Sequence, residues 1–239
     1  DSVANETVSA TTTDDDVAGF TIVESDGSTE VAESGSTDTL TVVLDAQPAS
    51  DVVLTVTSDD TGEATVTSSL TFTPANWDTP QTVTVTGVDD DIIDGTITST
   101  ITVAVDDANS DDNFDSVTDQ SVSATTTDDD VAGFTIVETD GSTEVAESGS
   151  TDTFTVVLDA EPASDVLLII TSDDTGEATV NSPLTFTSAN WDTPQTVIVT
   201  GINEDIVDGD IVSTITVAVD DANSDDDFDS VANETVSAT

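Results

Sequence analysis

The stretch Thr82-Val83-Thr84-Val85-Thr86-Gly87-Val88-Asp89-Asp90 alternates hydroxyl-bearing and apolar β-branched residues, then ends in glycine and two carboxylates. A period of two puts the valines on one face of an extended chain and the threonines on the other, the pattern of a half-buried strand. Thr41-Val42-Val43-Leu44, Val52-Val53-Leu54-Thr55-Val56 and Ile101-Thr102-Val103-Ala104-Val105 are further short runs of the same kind. Clusters of Asp, Gly, Ser, Asn and Pro separate them, and no window shows helical periodicity. The spacing predicts about seven strands, near 18–24, 37–45, 51–57, 64–73, 81–88, 97–105 and 117–126. That count of short strands predicts an all-β fold, an antiparallel β-sandwich of the immunoglobulin-like kind.

The pattern occurs twice. Asp1-Ser2-Val3 recurs at Asp115 and again at Asp229, a period of 114 residues, the size of a domain and too long for a solenoid unit. Most differences between the copies are apolar exchanges, such as Leu40 for Phe154 and Val53 for Leu167. Asp229–Thr239 repeats Asp1–Thr11 without change, whereas the middle copy reads Thr118-Asp119-Gln120-Ser121 at the corresponding place. An A-B-A order of a longer tandem array is the expectation. Residues 1–16 are then the last strand (Val8–Thr13) and linker of a preceding repeat. Residues 17–130 form one sandwich with its acidic linker, and 131–239 a second. Trp77 and Trp191 are expected to plug one end of each sandwich.

Of the 239 residues 52 are Asp or Glu, and there is no Lys, Arg or His, so the formal charge is -52. Self-repulsion on that scale opposes compaction. Yet 35% of the residues are hydrophobic and patterned for strands, so the chain is built to fold. Carboxylate and carbonyl oxygens, with no imidazole or thiolate, suit hard cations such as calcium or magnesium. Nucleic acid is excluded as a partner, because phosphate binding needs cationic side chains. No apolar run is long enough to insert in a membrane. Without His, Cys, Lys or Tyr most nucleophile–base pairs cannot be assembled, and the chain is not expected to be an enzyme.

An up-and-down count of the strands sends the first, third and fifth turns and the end of the last strand to one pole. That pole gathers Glu30, Glu33, Asp59, Asp60, Asp89–Asp91, Asp94 and Asp128–Asp130. The opposite pole carries Asp106, Asp107, Asp111 and Asp112. The segments Glu33-Ser34-Gly35, Leu70-Thr71-Phe72-Thr73, Thr82–Asp90 and Thr126-Thr127-Asp128-Asp129-Asp130 resemble Calx-beta domains, and the resemblance spans nearly the whole of each repeat. It implies a calcium-binding β-sandwich, of a sort found in exchangers and in large bacterial surface proteins. The metal ligands it implies are Glu33, Asp59, Asp89, Asp90 and Asp128, Asp129, Asp130. In the second copy they are Glu147, Asp173, Glu204 and Asp205, with Asn203 beside them. The preceding linker adds Asp14, Asp15 and Asp16. Asp94-Gly95-Thr96 departs from the family pattern, which often has further glutamates there.

The expected function is that of a calcium-rigidified structural spacer in a long extracellular or cell-surface adhesin. Its partners are then calcium ions and neighbouring repeats of the same chain or neighbouring subunits. The alternatives are a filament subunit assembled by exchange of a terminal strand, and an adhesion module that binds glycan or protein.

Overall fold

A computed structural model describes residues 5–207 and 209–239. The chain divides into two compact units, Asp1–Asp89 with Thr96–Thr127, and Asp90–Gly95 with Asp128–Thr239. Each holds a two-sheet antiparallel β-sandwich.

In the first unit one sheet has the order β1 (Phe20–Glu24), β3 (Thr37–Leu44), β7 (Gln81–Gly87), β5 (Ala64–Val66). The facing sheet runs β2 (Thr29–Ala32), β9 (Gln120–Thr127), β8 (Ile97–Val105), β4 (Val52–Ser58), β6 (Ser69–Phe72). The alternation seen in the sequence is the alternation of burial: Val83 and Val85 are fully buried while Thr82 faces solvent. Leu40, Val42, Leu54, Phe72, Ile101 and Val103 supply the matching inner faces. Trp77 packs against this core half-buried, and its carbonyl accepts from Leu44 N at 3.2 Å.

Two features differ from the sequence reading. The strand expected over 64–73 is two strands in different sheets. Val66 pairs with Val85, and four residues later Leu70 pairs with Leu54. The chain crosses between sheets at Thr67-Ser68, where Thr67 N donates to Thr84 O and Ser68 O accepts from Val56 N. The second is β2, which the sequence reading lacks. It pairs in parallel with β9, Ala32 opposite Thr127. Gly87 permits this, since a Cβ there would lie 2.0 Å from Ala32 O.

The second unit repeats the plan, with sheets β10 (Phe134–Glu138), β11 (Thr151–Leu158), β15 (Gln195–Gly201), β13 (Ala178–Val180) and β14 (Leu184–Phe186), β12 (Val166–Ser172), β16 (Ser213–Val219), β17 (Glu234–Ala238). Its core is built on Phe154, Leu168, Phe186, Val197, Ile215 and Phe228. The counterpart of β2 is reduced to a single bridge, Thr143 to Ala238. The strand expected at Val8–Thr13 is not formed: residues 5–16 are exposed and carry no strand, with Val8 94% accessible. A β-prone segment without a sheet beside it has nothing to pair with.

Candidate metal centre

In the first unit the pairing of β2 with β9 carries the chain straight into Glu33, whose N–H donates to Thr127 O at 3.1 Å. Its side chain is 1% exposed. Glu63, just before β5, is 6% exposed. Its backbone carbonyl accepts from Val88 N at 2.9 Å and Thr126 Oγ1 at 3.4 Å, which ties the third turn to the fifth and to the last strand. A carboxylate oxygen of Glu33 and one of Glu63 lie within 4.8 Å of each other. Two full charges at that distance repel by at least about 3 kcal/mol at an effective dielectric near 20. No cationic side chain exists in the sequence to offset this. Hydrogen bonds, a proton or a metal ion must do so, and hard oxygen donors in a buried place fit calcium.

The second unit begins with its own acidic group. Asp128 Oδ2 accepts from Asp94 N at 3.1 Å and Gly95 N at 2.8 Å, and Oδ1 accepts from Asp130 N at 2.7 Å. Gly95, at φ +74°, makes the turn that presents the first two donors. Carboxylate oxygens of Asp128 and Asp130 also approach within 4.8 Å. Burial, then Asp128, Asp91, Asp129 and Asp90, push the Asp130 carboxyl above the usual range. A group held that way gains when a cation arrives. Asp90 is half-buried with Oδ1 accepting from Ile92 N at 2.8 Å, whereas Asp89 and Asp129 are exposed.

The remaining candidates are placed differently. Asp59 accepts from Thr100 N at 2.6 Å, and Asp173 from Thr214 N at 2.7 Å. The Thr100 bond holds the Asp59 carboxyl below its ordinary value. Each secures an overhanging stretch of a central strand, and among the described residues neither joins a group of three converging carboxylates. Asp14, Asp15 and Asp16 are exposed, with Asp16 N donating to Asp14 Oδ1 in the same local turn as Asp128–Asp130. In the second copy Glu147, Asn203 and Asp205 are exposed and Glu204 is half-buried. Glu147 and Glu177, the counterparts of Glu33 and Glu63, line an open cavity of about 770 Å³.

Glu63 escapes a search for acidic runs because it stands alone. It directly precedes the buried Ala64 in Thr61-Gly62-Glu63-Ala64, and the second copy keeps it as Thr175-Gly176-Glu177-Ala178. Strict alternation from the inward Ala64 would turn Glu63 outward, so its burial is set by the turn before β5, where Val88 N and Thr126 Oγ1 donate to its carbonyl.

At the other pole Asp111, 4% exposed, accepts from Ala49 N at 2.7 Å, Ser50 N at 2.8 Å and both Asn113 N and Nδ2. The Asn113 and Ser50 amides hold its carboxyl low. Asp225 makes the same clasp to Ser164 and Asp227. These two aspartates are already saturated by donors of the fold.

Neither a family profile nor a curated protein matches the sequence. Among solved structures the chain is similar to a crystal structure of CBD12 from CALX1.2, at 15% identity and TM-score 0.34, covering 82% of this chain and 79% of that one. It is similar also to the apo form of the Calx CBD1 domain, at 16% and 0.34 over 46% of this chain and 98% of that one. Domains 4 and 5 of the S-layer protein SbsC are similar at 15% and 0.35 over 94% and 98%.

Proposed function

We propose that the chain is a structural spacer of a long extracellular or surface protein, of the repeat type used in secreted adhesins, stiffened by calcium. The observation that carries this is the buried Glu33–Glu63 carboxylate pair in a chain with no cationic side chain. A bound calcium supplies positive charge and six to eight coordination positions for oxygen. Glu33 and Glu63 would supply two of those oxygens from within the first unit. The linker itself is short and its Asp128 is already fixed by backbone donors, so its ordering costs little chain entropy. Duplication of the sandwich with little change favours a spacer over a recognition module, since a spacer works by repetition. The proposal assigns the chain no catalytic role, in line with its lack of His, Cys, Lys and Tyr.

Small-angle scattering of the full chain tests this reading. The maximum dimension should sharpen and lengthen when calcium replaces chelator at matched ionic strength. A distribution unchanged by the ion contradicts a calcium-stiffened spacer.

A further inference from the structure

β8 reads Ile97-Thr98-Ser99-Thr100-Ile101-Thr102-Val103-Ala104-Val105, and one residue breaks its pattern. Ile101 and Val103 are fully buried, so the phase of the strand puts Ser99 on the same inner face, where it is 0% exposed. The second copy keeps the exception as Ser213 in β16, 1% exposed. Among the described residues neither hydroxyl has a hydrogen-bond partner. A buried hydroxyl without a partner costs stability. Size does not call for a serine here, because the residue opposite Ser99 is Ala124, fully buried in the same layer. An alanine would fill the place without the penalty, so the oxygen itself needs a reason.

Ser99 faces the space that the glutamate pair closes. Two residues on from Ala124 along β9 is Thr126, fully buried, whose Oγ1 donates to Glu63 O at 3.4 Å. Thr126 is opposite Val31, two residues before Glu33. In the second unit the equivalents Ser213, Glu147 and Glu177 line one cavity, so the serine and the two glutamates of a repeat border a common interior space.

We propose that Ser99 positions the cation held at Glu33 and Glu63 from the inside, its hydroxyl holding the water that fills the ion's inward coordination position. This rests on the calcium reading above. Calcium takes six to eight oxygens, and waters are commonly among them. On the inner face of β8 the other side chains are Ile97, Ile101, Val103 and Val105, so Ser99 is the one side-chain oxygen that this wall offers. A water bound to a cation turns its hydrogens away from the ion, and the serine oxygen has two lone pairs to accept them. Alanine in this place leaves the water one partner short and changes no charge.

Melting temperature against calcium concentration, measured on the full chain at one ionic strength, reads the affinity, because stabilisation follows the logarithm of ligand over dissociation constant. Ser99→Ala should need about fivefold more calcium than wild type for the same rise, the contribution of one ordinary hydrogen bond. Ile101→Val, an apolar change two residues along the same inner face, should lower the melting temperature with and without the ion and leave the calcium requirement unchanged. In the Glu33→Gln/Glu63→Gln background, adding Ser99→Ala should leave any remaining calcium response as it was, since the serine and the glutamates act on one ion. An unchanged calcium requirement in Ser99→Ala, with wild type responding to the ion, overturns the role of Ser99 and leaves the calcium reading standing. A shift that persists in the glutamine background, or one matched by Ile101→Val, overturns that role as well. A wild type indifferent to calcium overturns the calcium reading, and this inference with it.

Discussion

Asp111 and Glu33 are both acidic and both buried, and their surroundings are opposite. Asp111 is ringed by N–H donors, while Glu33 lies beside the carboxylate of Glu63. The first is held by donors of the fold, and the second shares its place with a like charge. Asp111→Asn should therefore lower the melting temperature by the same amount with calcium and with chelator, as read by paired thermal melts. It should also change the acid limb. The Asn113 and Ser50 amides depress the folded-state pKa, so the unfolded chain binds the proton more readily. The resulting stability is complete above the unfolded value, near 3.9, and is lost as pH falls through the lower folded value. Asp115 works the other way. Partial loss of hydration at this exposed group, then Asp107, Asp112 and Asp111, raise its carboxyl, so its protonation favours the folded state as pH falls from neutral. Urea melts across the acid range should show wild type losing stability more steeply below pH about 4 than Asp111→Asn.

Of the strands, those with strict alternation were legible from residues alone. β3, β4, β7 and β8 lie within a residue or so of where the pattern puts them, because each buries every second side chain. Two elements were not legible, for physical reasons. β2 is four residues long with Glu30 inside it, and it exists because β9, far along the chain, offers a parallel partner. The break between β5 and β6 leaves no gap in the β-prone run, since only Thr67 and Ser68 lie between the two strands and neither is a turn-forming Gly, Pro, Asn or Asp. The metal candidates divide the same way. Acidic runs announce Asp128–Asp130, but only the β2 pairing explains why Glu33 is buried, and only its contact with Glu33 singles out the isolated Glu63. Asp59, an equally obvious carboxylate, is taken by Thr100 N instead. Gly87→Ala tests the β2 seat. Its methyl would meet the backbone of Ala32, which cannot swing aside as a side chain would. A loss of about 1–3 kcal/mol or more in denaturant melts is expected, the usual penalty of overpacking. A neutral result would mean that β2 does not lie where it is described.

For the whole molecule the dominant quantity is the charge of -52 with no positive group to answer it. Simple salt should raise the melting temperature by screening that charge, and the rise should saturate. Calcium should add to it at concentrations too low to screen, because coordination exists only in the folded state. A site filled to about 100 times its dissociation constant contributes about 2.7 kcal/mol. Magnesium, smaller and stricter in its geometry, should give less. The most direct measurement is thermal melting of wild type and of Glu33→Gln/Glu63→Gln, with calcium and with chelator, at one ionic strength. A calcium site at this pair predicts a rise of several degrees with the ion in wild type and little or none in the double variant, whose chelator melting point should equal or exceed that of wild type. A wild-type melting temperature indifferent to calcium, or an equal calcium response in both proteins, would contradict it.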